Sequence, residues 1–291
     1  MNSPPHETLV GHNIVVTGGS MGIGYACAEE LARSGARVTI CARGKGALEQ
    51  ASSRLRSAMP KAEVAYLAAD VSDPKDVNRL LDAVERVGPI TGLVHAAAVL
   101  GAIGSVVTAD PEQWFEVVRI NLYGSFLVAR GVCQRMIRAK QRGSVVLFSG
   151  GGATSPFPNF TAYGSSKAAV VRLAETLAQE VAAHGIRVNC VSPGFVATRM
   201  QDQTLEAGEA AGADYIRRTK AELKKGGVSP TLAARAVAFL LSDRGAGITG
   251  RLLAAPWDRW DEWPEHLDEM SGSDVFTLRR IVPRDRGMNW Q

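Results

Sequence analysis

Cysteine is scarce, with four in 291 residues, which excludes the dense disulfide framework of a small secreted domain. Cys27, Cys41, Cys133 and Cys190 never fall in a CxxC or Cys/His spacing. They are expected to be reduced thiols in or near the core, with no metal site. No apolar run approaches the roughly 18 residues of a membrane span. Residues 1–12, with Pro4, Pro5, His6 and Glu7, lack the basic-then-apolar order of a signal peptide. A cytoplasmic chain with no membrane partner is expected. Net charge is only +4. The basic stretches at 135–142, 217–225 and 279–286 are mixed with acids or lie on helix faces or in a tail, with no aromatic-spaced basic stripe. No nucleic-acid partner is expected either.

Hydrophobic residues form 46% of the chain, too many for disorder. Apolar, β-rich runs at 13–17, 37–41, 64–69, 92–97, 144–148, 187–191 and 251–255 read as strands. Amphipathic stretches at 24–34, 47–59, 74–87, 111–140 and 162–184 read as helices between them, with Asp73 as a cap. Strands that are apolar on both sides and separated by helices imply a parallel sheet covered on both faces. The expected fold is α/β: a single doubly wound, Rossmann-type parallel sheet of about seven strands, with ligands bound beyond the carboxyl ends of the strands. No linker or repeat divides residues 1–255, and 256–291 read as a tail packing on the domain or on a neighbouring subunit.

The first strand runs into Thr17-Gly18-Gly19-Ser20-Met21-Gly22-Ile23-Gly24. Gly18 permits a sharp turn, Gly22 lets a pyrophosphate approach backbone amides, and Gly24 allows close packing of the helix, whose N-terminus favours phosphate. Gly18, Ser20, Gly22, Ile23 and Gly24 are therefore expected contacts of a dinucleotide. After the second strand, where an NAD site would place an acid, the sequence is Cys41-Ala42-Arg43-Gly44-Lys45, and no carboxylate occurs until Glu49. Arg43 suits a 2′-phosphate, with Ser20 and Lys45 assisting, so NADP(H) is expected in preference to NAD. The alternative is a surface arginine that caps a turn.

Tyr163-Gly164-Ser165-Ser166-Lys167 opens the helix at 162–184. Positions i and i+4 share a face, so an ammonium can stabilise a phenolate and bring its pKa down from about 10. Taken with the glycine turn, the pair resembles the site of the short-chain dehydrogenase/reductase family, and the resemblance extends over residues 11–250. It implies that Tyr163 exchanges a proton with a hydroxyl or carbonyl. Lys167 would bond the nicotinamide ribose and lower the tyrosine pKa, and Asn121, in a local helix irregularity, would anchor a proton relay. It also implies adenine contacts from Asp70 and Val71. Ala97 would lie where the cofactor passes, and Pro193, Gly194, Val196 and Thr198 would border the nicotinamide. Tyr163, Lys167 and Asn121 are thus the catalytic candidates, and a homodimer or homotetramer is the implied assembly.

Two positions depart from the family pattern. The family's serine stands thirteen residues before the tyrosine, where this chain has Gly150. Ser149 is one place early and would face away if the strand persisted. Three readings stay open. Ser149, Thr154 or Ser155 takes over; a backbone N–H or a water substitutes; or the protein binds NADP without efficient turnover. At the family's NNAG this chain has His95-Ala96-Ala97-Ala98, with His95 expected to be a hydrogen-bonded replacement for asparagine.

Residues 199–228 resemble the family's mobile lid. Trp257, Trp260 and Trp263, at spacing three, read either as a packing stripe or as a substrate wall with Asp258, Asp261 and Glu262 nearby. The combined expectation is an NADP(H)-dependent oxidoreductase that interconverts a secondary alcohol and a ketone, on a small carbonyl or alcohol substrate that is sugar- or cyclitol-like. An epimerase or dehydratase on the same scaffold is the alternative, as is a non-catalytic NADP-binding protein.

Overall fold

Side-chain alternation assembles the sheet. The computed structural model describes residues 7–290, so the leader reading falls partly on residues 1–6, outside the described residues. The strands are β1 (Asn13–Thr17), β2 (Arg37–Ala42), β3 (Val64–Ala68), β4 (Gly92–His95), β5 (Gly143–Phe148), β6 (Ile186–Ser192) and β7 (Leu252–Ala254). All pair in parallel, in the order β3-β2-β1-β4-β5-β6-β7. In β1, Ile14 and Val16 join one core layer and Val15 the other, the period-2 consequence of the pleat. Helices α1 (Gly22–Arg33), α2 (Lys45–Ala58) and α9 (Pro230–Leu241) cover the first face. Helices α3 (Pro74–Glu85), α5 (Gly124–Arg138) and α6 (Thr161–Val181) cover the second. The chain reverses its winding between β1 and β4, which opens a crevice at the carboxyl edge of the sheet.

Local chemistry sets the helix starts. Asp73 accepts from Lys75 N at 2.7 Å to cap α3. Asp110 accepts from Glu112 N and Gln113 N to cap α4 (Pro111–Val118). Within the helix read at 111–140, a π-helical turn, Arg119–Tyr123, separates α4 from α5 at the place where the resemblance implied a helix irregularity around Asn121. Apolar periodicity does not register one extra residue inserted in a turn.

The lid region forms α7 (Arg199–Glu206) and α8 (Ala213–Lys224), joined by a 3₁₀ turn. Beyond β7 the tail folds back on its own domain. Leu252 N donates to the Phe276 carbonyl at 2.8 Å, and Leu278 N donates to Glu175 of α6 at 2.6 Å. A 3₁₀ segment, Trp260–His266, has three residues per turn, so Trp260 and Trp263 emerge on one side. Both are buried, Trp260 against Phe239 at 5.3 Å and Trp263 against Phe276 at 4.5 Å between ring centroids. Trp257 precedes the segment and stays 71% exposed.

Candidate active site

A cleft of about 870 Å³ opens at the carboxyl ends of β4, β5 and β6. It is bordered by Ile23, Tyr163, Lys167, Pro193, Gly194, Val196 and Thr198 from the sequence-derived set. The other expected cofactor contacts lie along the adjoining edge, after β1, β2 and β3, with Ala97 after β4. Gly18 has φ +67, and a Cβ there would come 2.8 Å from the Ala97 nitrogen. A Cβ on Gly24 would strike the Gly18 carbonyl, 2.7 Å from its carbon. The turn therefore folds tightly only with glycine at these places, leaving the first N–H groups of α1 open. Beside it, a Cβ on Gly22 would meet only the Thr198 methyl, at 3.6 Å. The glycine turn and the 193–198 loop thus face each other across a narrow gap.

Ser20 is buried within this turn. Arg43 is exposed at the end of β2 and has no ion-pair partner among the described residues. Lys45 instead pairs with Glu49 at 3.8 Å along α2, as i,i+4 charges on one helix do. Asp70 is partly buried, which opposes its charge, but Ser72 N and Oγ donate to its Oδ1 at 2.8 and 2.6 Å and hold the carboxyl below its usual range. Val71 is buried beside Gly124. A glycine-lined cradle and a helix N-terminus fit the pyrophosphate of a dinucleotide.

Asn121 sits within the π-turn and is buried. Its Oδ1 accepts from Val99 N at 2.8 Å, and its Nδ2 donates to the Val99 carbonyl at 2.9 Å and to Ser166 Oγ at 3.1 Å. It does not border the cleft; it ties the loop after β4 to α6. Its own carbonyl accepts from Ser125 Oγ at 2.5 Å.

Tyr163 and Lys167 are both buried on α6. The ammonium lies 5.7 Å from the centre of the Tyr163 ring and donates to the Phe148 carbonyl at 2.9 Å. Burial pulls Lys167 down to about 8. Burial, then the charge of Tyr215, pushes Tyr163 above its ordinary value. The lowering of the phenol expected from Lys167 is absent here: burial favours the neutral form of both groups.

β5 ends at Phe148, and Ser149, buried but bordering the cleft, still donates its N–H to the Val191 carbonyl at 2.9 Å. Gly150 starts a turn closed by Ala153 N at 3.2 Å, and Thr154 and Ser155 line the outer wall. His95 is buried, with Nδ1 2.9 Å from Thr17 Oγ1 and no partner on Nε2. Thr17 Oγ1 also accepts from Ala97 N at 3.3 Å, so it links the His95 ring to the loop after β4.

Sequence reasoning missed the opposite wall. Phe157 and Phe160 stack at 4.3 Å, and Tyr215 of α8 meets each edge-on at 5.0 Å. The only available signal was two phenylalanines just ahead of the tyrosine. Arg218 and Gln201 also border the cleft. Of the tryptophan cluster only Trp257 does. Asp258 instead accepts from Ala254 N at 2.7 Å, and Glu262 pairs with Arg259.

A family model described as enoyl-(acyl carrier protein) reductase matches residues 18–255. The chain is 32% identical over 243 residues to 2-(S)-hydroxypropyl-CoM dehydrogenase 3 of Xanthobacter autotrophicus, covering 83% of this chain and 93% of that one. Among solved structures it is similar to an actinorhodin polyketide ketoreductase with NADPH, at TM-score 0.75 and 31% identity over 84% of this chain and 95% of that one. It is also similar to an NAD+-bound xylitol dehydrogenase, at TM-score 0.78 and 29% identity over 84% and 97%.

Proposed function

From the premise that the chain belongs to the short-chain dehydrogenase/reductase family, we propose that it is an NADP(H)-dependent oxidoreductase interconverting a secondary alcohol and a ketone. The observation that carries this reading is that Tyr163 and Lys167 border one cleft beside the glycine turn. When bound, the dinucleotide supplies or accepts the hydride. The turn at 18–24, Asp70, Val71 and Ala97 would hold it on the sheet edge, and Pro193, Gly194, Val196 and Thr198 on the other side. Arg43, exposed and without an ion-pair partner among the described residues, supports NADP over NAD.

Tyr163 then acts as the acid. Its phenol, held above its ordinary value by burial, carries a proton at neutral pH that it can give to a carbonyl oxygen. Lys167, pulled down to about 8, is still mostly charged at pH 7 and restores the proton or steadies the phenolate left behind. Asn121 acts through others: it holds the Val99 backbone after β4 and bonds Ser166 Oγ, one residue before Lys167. The lid helices α7 and α8, whose residues Met200, Thr204 and Tyr215 border the cleft, limit water access to the substrate.

The cleft-facing rings of Phe157 and Tyr215, with buried Phe160 stacked behind them, support a substrate with a flat, largely apolar body, since none of Asp258, Asp261 and Glu262 borders the cleft. A homodimer or homotetramer is supported by Phe115, Tyr123 and Phe126, which expose 59%, 42% and 41% of their surfaces along α4 and α5. Four buried free thiols suit a cytoplasmic setting.

The test is NADPH consumption over a panel of flat ketones and polyol-derived ketoses. Wild type should reduce at least one. Tyr163→Phe should lose about 10²–10⁴-fold while still binding NADPH. Equal rates in the two proteins would remove Tyr163 from the chemistry. Turnover without net absorbance change would favour an epimerase.

A further inference from the structure

Three charged side chains border the cleft: Lys167, Asp214 and Arg218. Two are already engaged. Lys167 is buried against the Phe148 carbonyl, and Asp214 is paired with Arg217. Arg218 has no hydrogen-bond or ion-pair partner among the described residues, so the cleft carries one uncompensated positive charge on its lid side. Arg218 and Tyr215 are three residues apart on α8 and share a face. The ring of Tyr215 continues the aromatic wall through Phe157 at 5.0 Å. The cleft therefore presents, in sequence, a proton donor, an aromatic surface and a free guanidinium.

We infer that Arg218 forms an anion subsite, and that the substrate is a ketone or alcohol carrying an acidic group such as a carboxylate on a flat body. This rests on the oxidoreductase reading of the same cleft and narrows its substrate class. The guanidinium fork matches two carboxylate oxygens, which a lysine at the same place could not do as well. Carried on a lid helix, it would approach the substrate as the lid closes, where screening by water is weaker.

The experiment compares 4-acetylbenzoate with its methyl ester, which has the same ketone and ring without the charge. Titration calorimetry with full-length protein saturated with NADP+ should show the acid binding about tenfold more tightly. Arg218→Gln should bring the acid down to the affinity of the ester, and Arg218→Lys should retain part of the preference. Equal binding of the two probes by wild type, no binding of either, or a preference that survives Arg218→Gln would each overturn the subsite. If NADPH reduces neither probe nor any ketone of the panel, the oxidoreductase reading fails, while the calorimetry still decides the subsite.

Discussion

The hydroxyl of Tyr163 occupies the space that a side chain at Gly150 would need. A Cβ built on Gly150 collides with Tyr163 Oη and lies 3.1 Å from Cζ and 3.2 Å from Cε1. The neighbouring glycines are similarly confined: a Cβ on Gly151 would lie 2.9 Å from the Phe157 ring, and one on Gly152 2.6 Å from the Gly164 Cα. The glycine run thus lets the turn after β5 press against the start of α6. The serine of the family pattern and this placement of the tyrosine exclude one another.

Gly150→Ser is accordingly expected to lose activity. Adding either a methyl, in Gly150→Ala, or a hydroxymethyl group displaces the Tyr163 ring, and a misplacement of that size costs about 10²-fold in kcat/KM. Steady-state kinetics and NADPH binding check this. The two variants should fall together with cofactor affinity retained. A rate for Gly150→Ser above wild type would mean that the missing donor had not been replaced.

Arg43 is exposed and unpaired among the described residues, so removing it leaves no buried charge stranded. Arg43→Ser is expected to weaken NADPH about tenfold or more through loss of a charge-assisted fork, with little change for NADH. The ratio of kcat/KM for the two cofactors is the measurement, and an unchanged ratio would assign Arg43 to the surface.

The tail tryptophans should separate by readout. Trp260→Ala removes a side chain only 4% exposed against Phe239 and is expected to destabilise by about 3–5 kcal/mol in denaturant unfolding. Trp257→Ala, at a residue 71% exposed, should stay within about 0.5 kcal/mol and raise the KM of the carbonyl substrate instead.

His95 gives a pH signature. Burial, with the nearby charge of Lys167, pulls it down from 6.5 to about 3. Between these values the unfolded chain takes up a proton that the folded chain refuses, so stability is full above about 6.5 and declines as pH falls towards 3. Unfolding free energies at pH 7, 6, 5 and 4 should decline less steeply in His95→Asn than in wild type. Identical slopes would show that His95 is not buried as a neutral ring.

Motifs read along the chain carried much of this protein. The glycine turn, Arg43, and the Tyr163–Lys167 spacing sit on a strand end or at the start of a helix, where local backbone rules fix which face a residue presents. Asp73 was legible for the same reason, since an N-cap acts only two or three residues ahead. The apolar period of the helix at 111–140 runs through the π-turn around Asn121 without marking it, and only the family resemblance pointed to that irregularity. The tryptophan spacing of three gave the packing stripe that Trp260 and Trp263 form, although on a 3₁₀ segment, where local spacing alone does not separate 3₁₀ from α.

Sequence by itself determined the alternation of elements, and with it the doubly wound sheet, because periods of 2 and 3.6 are properties of short stretches of chain. Only the tertiary structure decided that Tyr163 and Lys167 are both pushed towards their neutral forms, that Phe157 faces Tyr215, and that Arg218 remains unpaired at the cleft. Desolvation, ring contacts and uncompensated charge depend on which distant residues close over a site, and that information lies in the packing of α6 against α8 and the turn at Gly150.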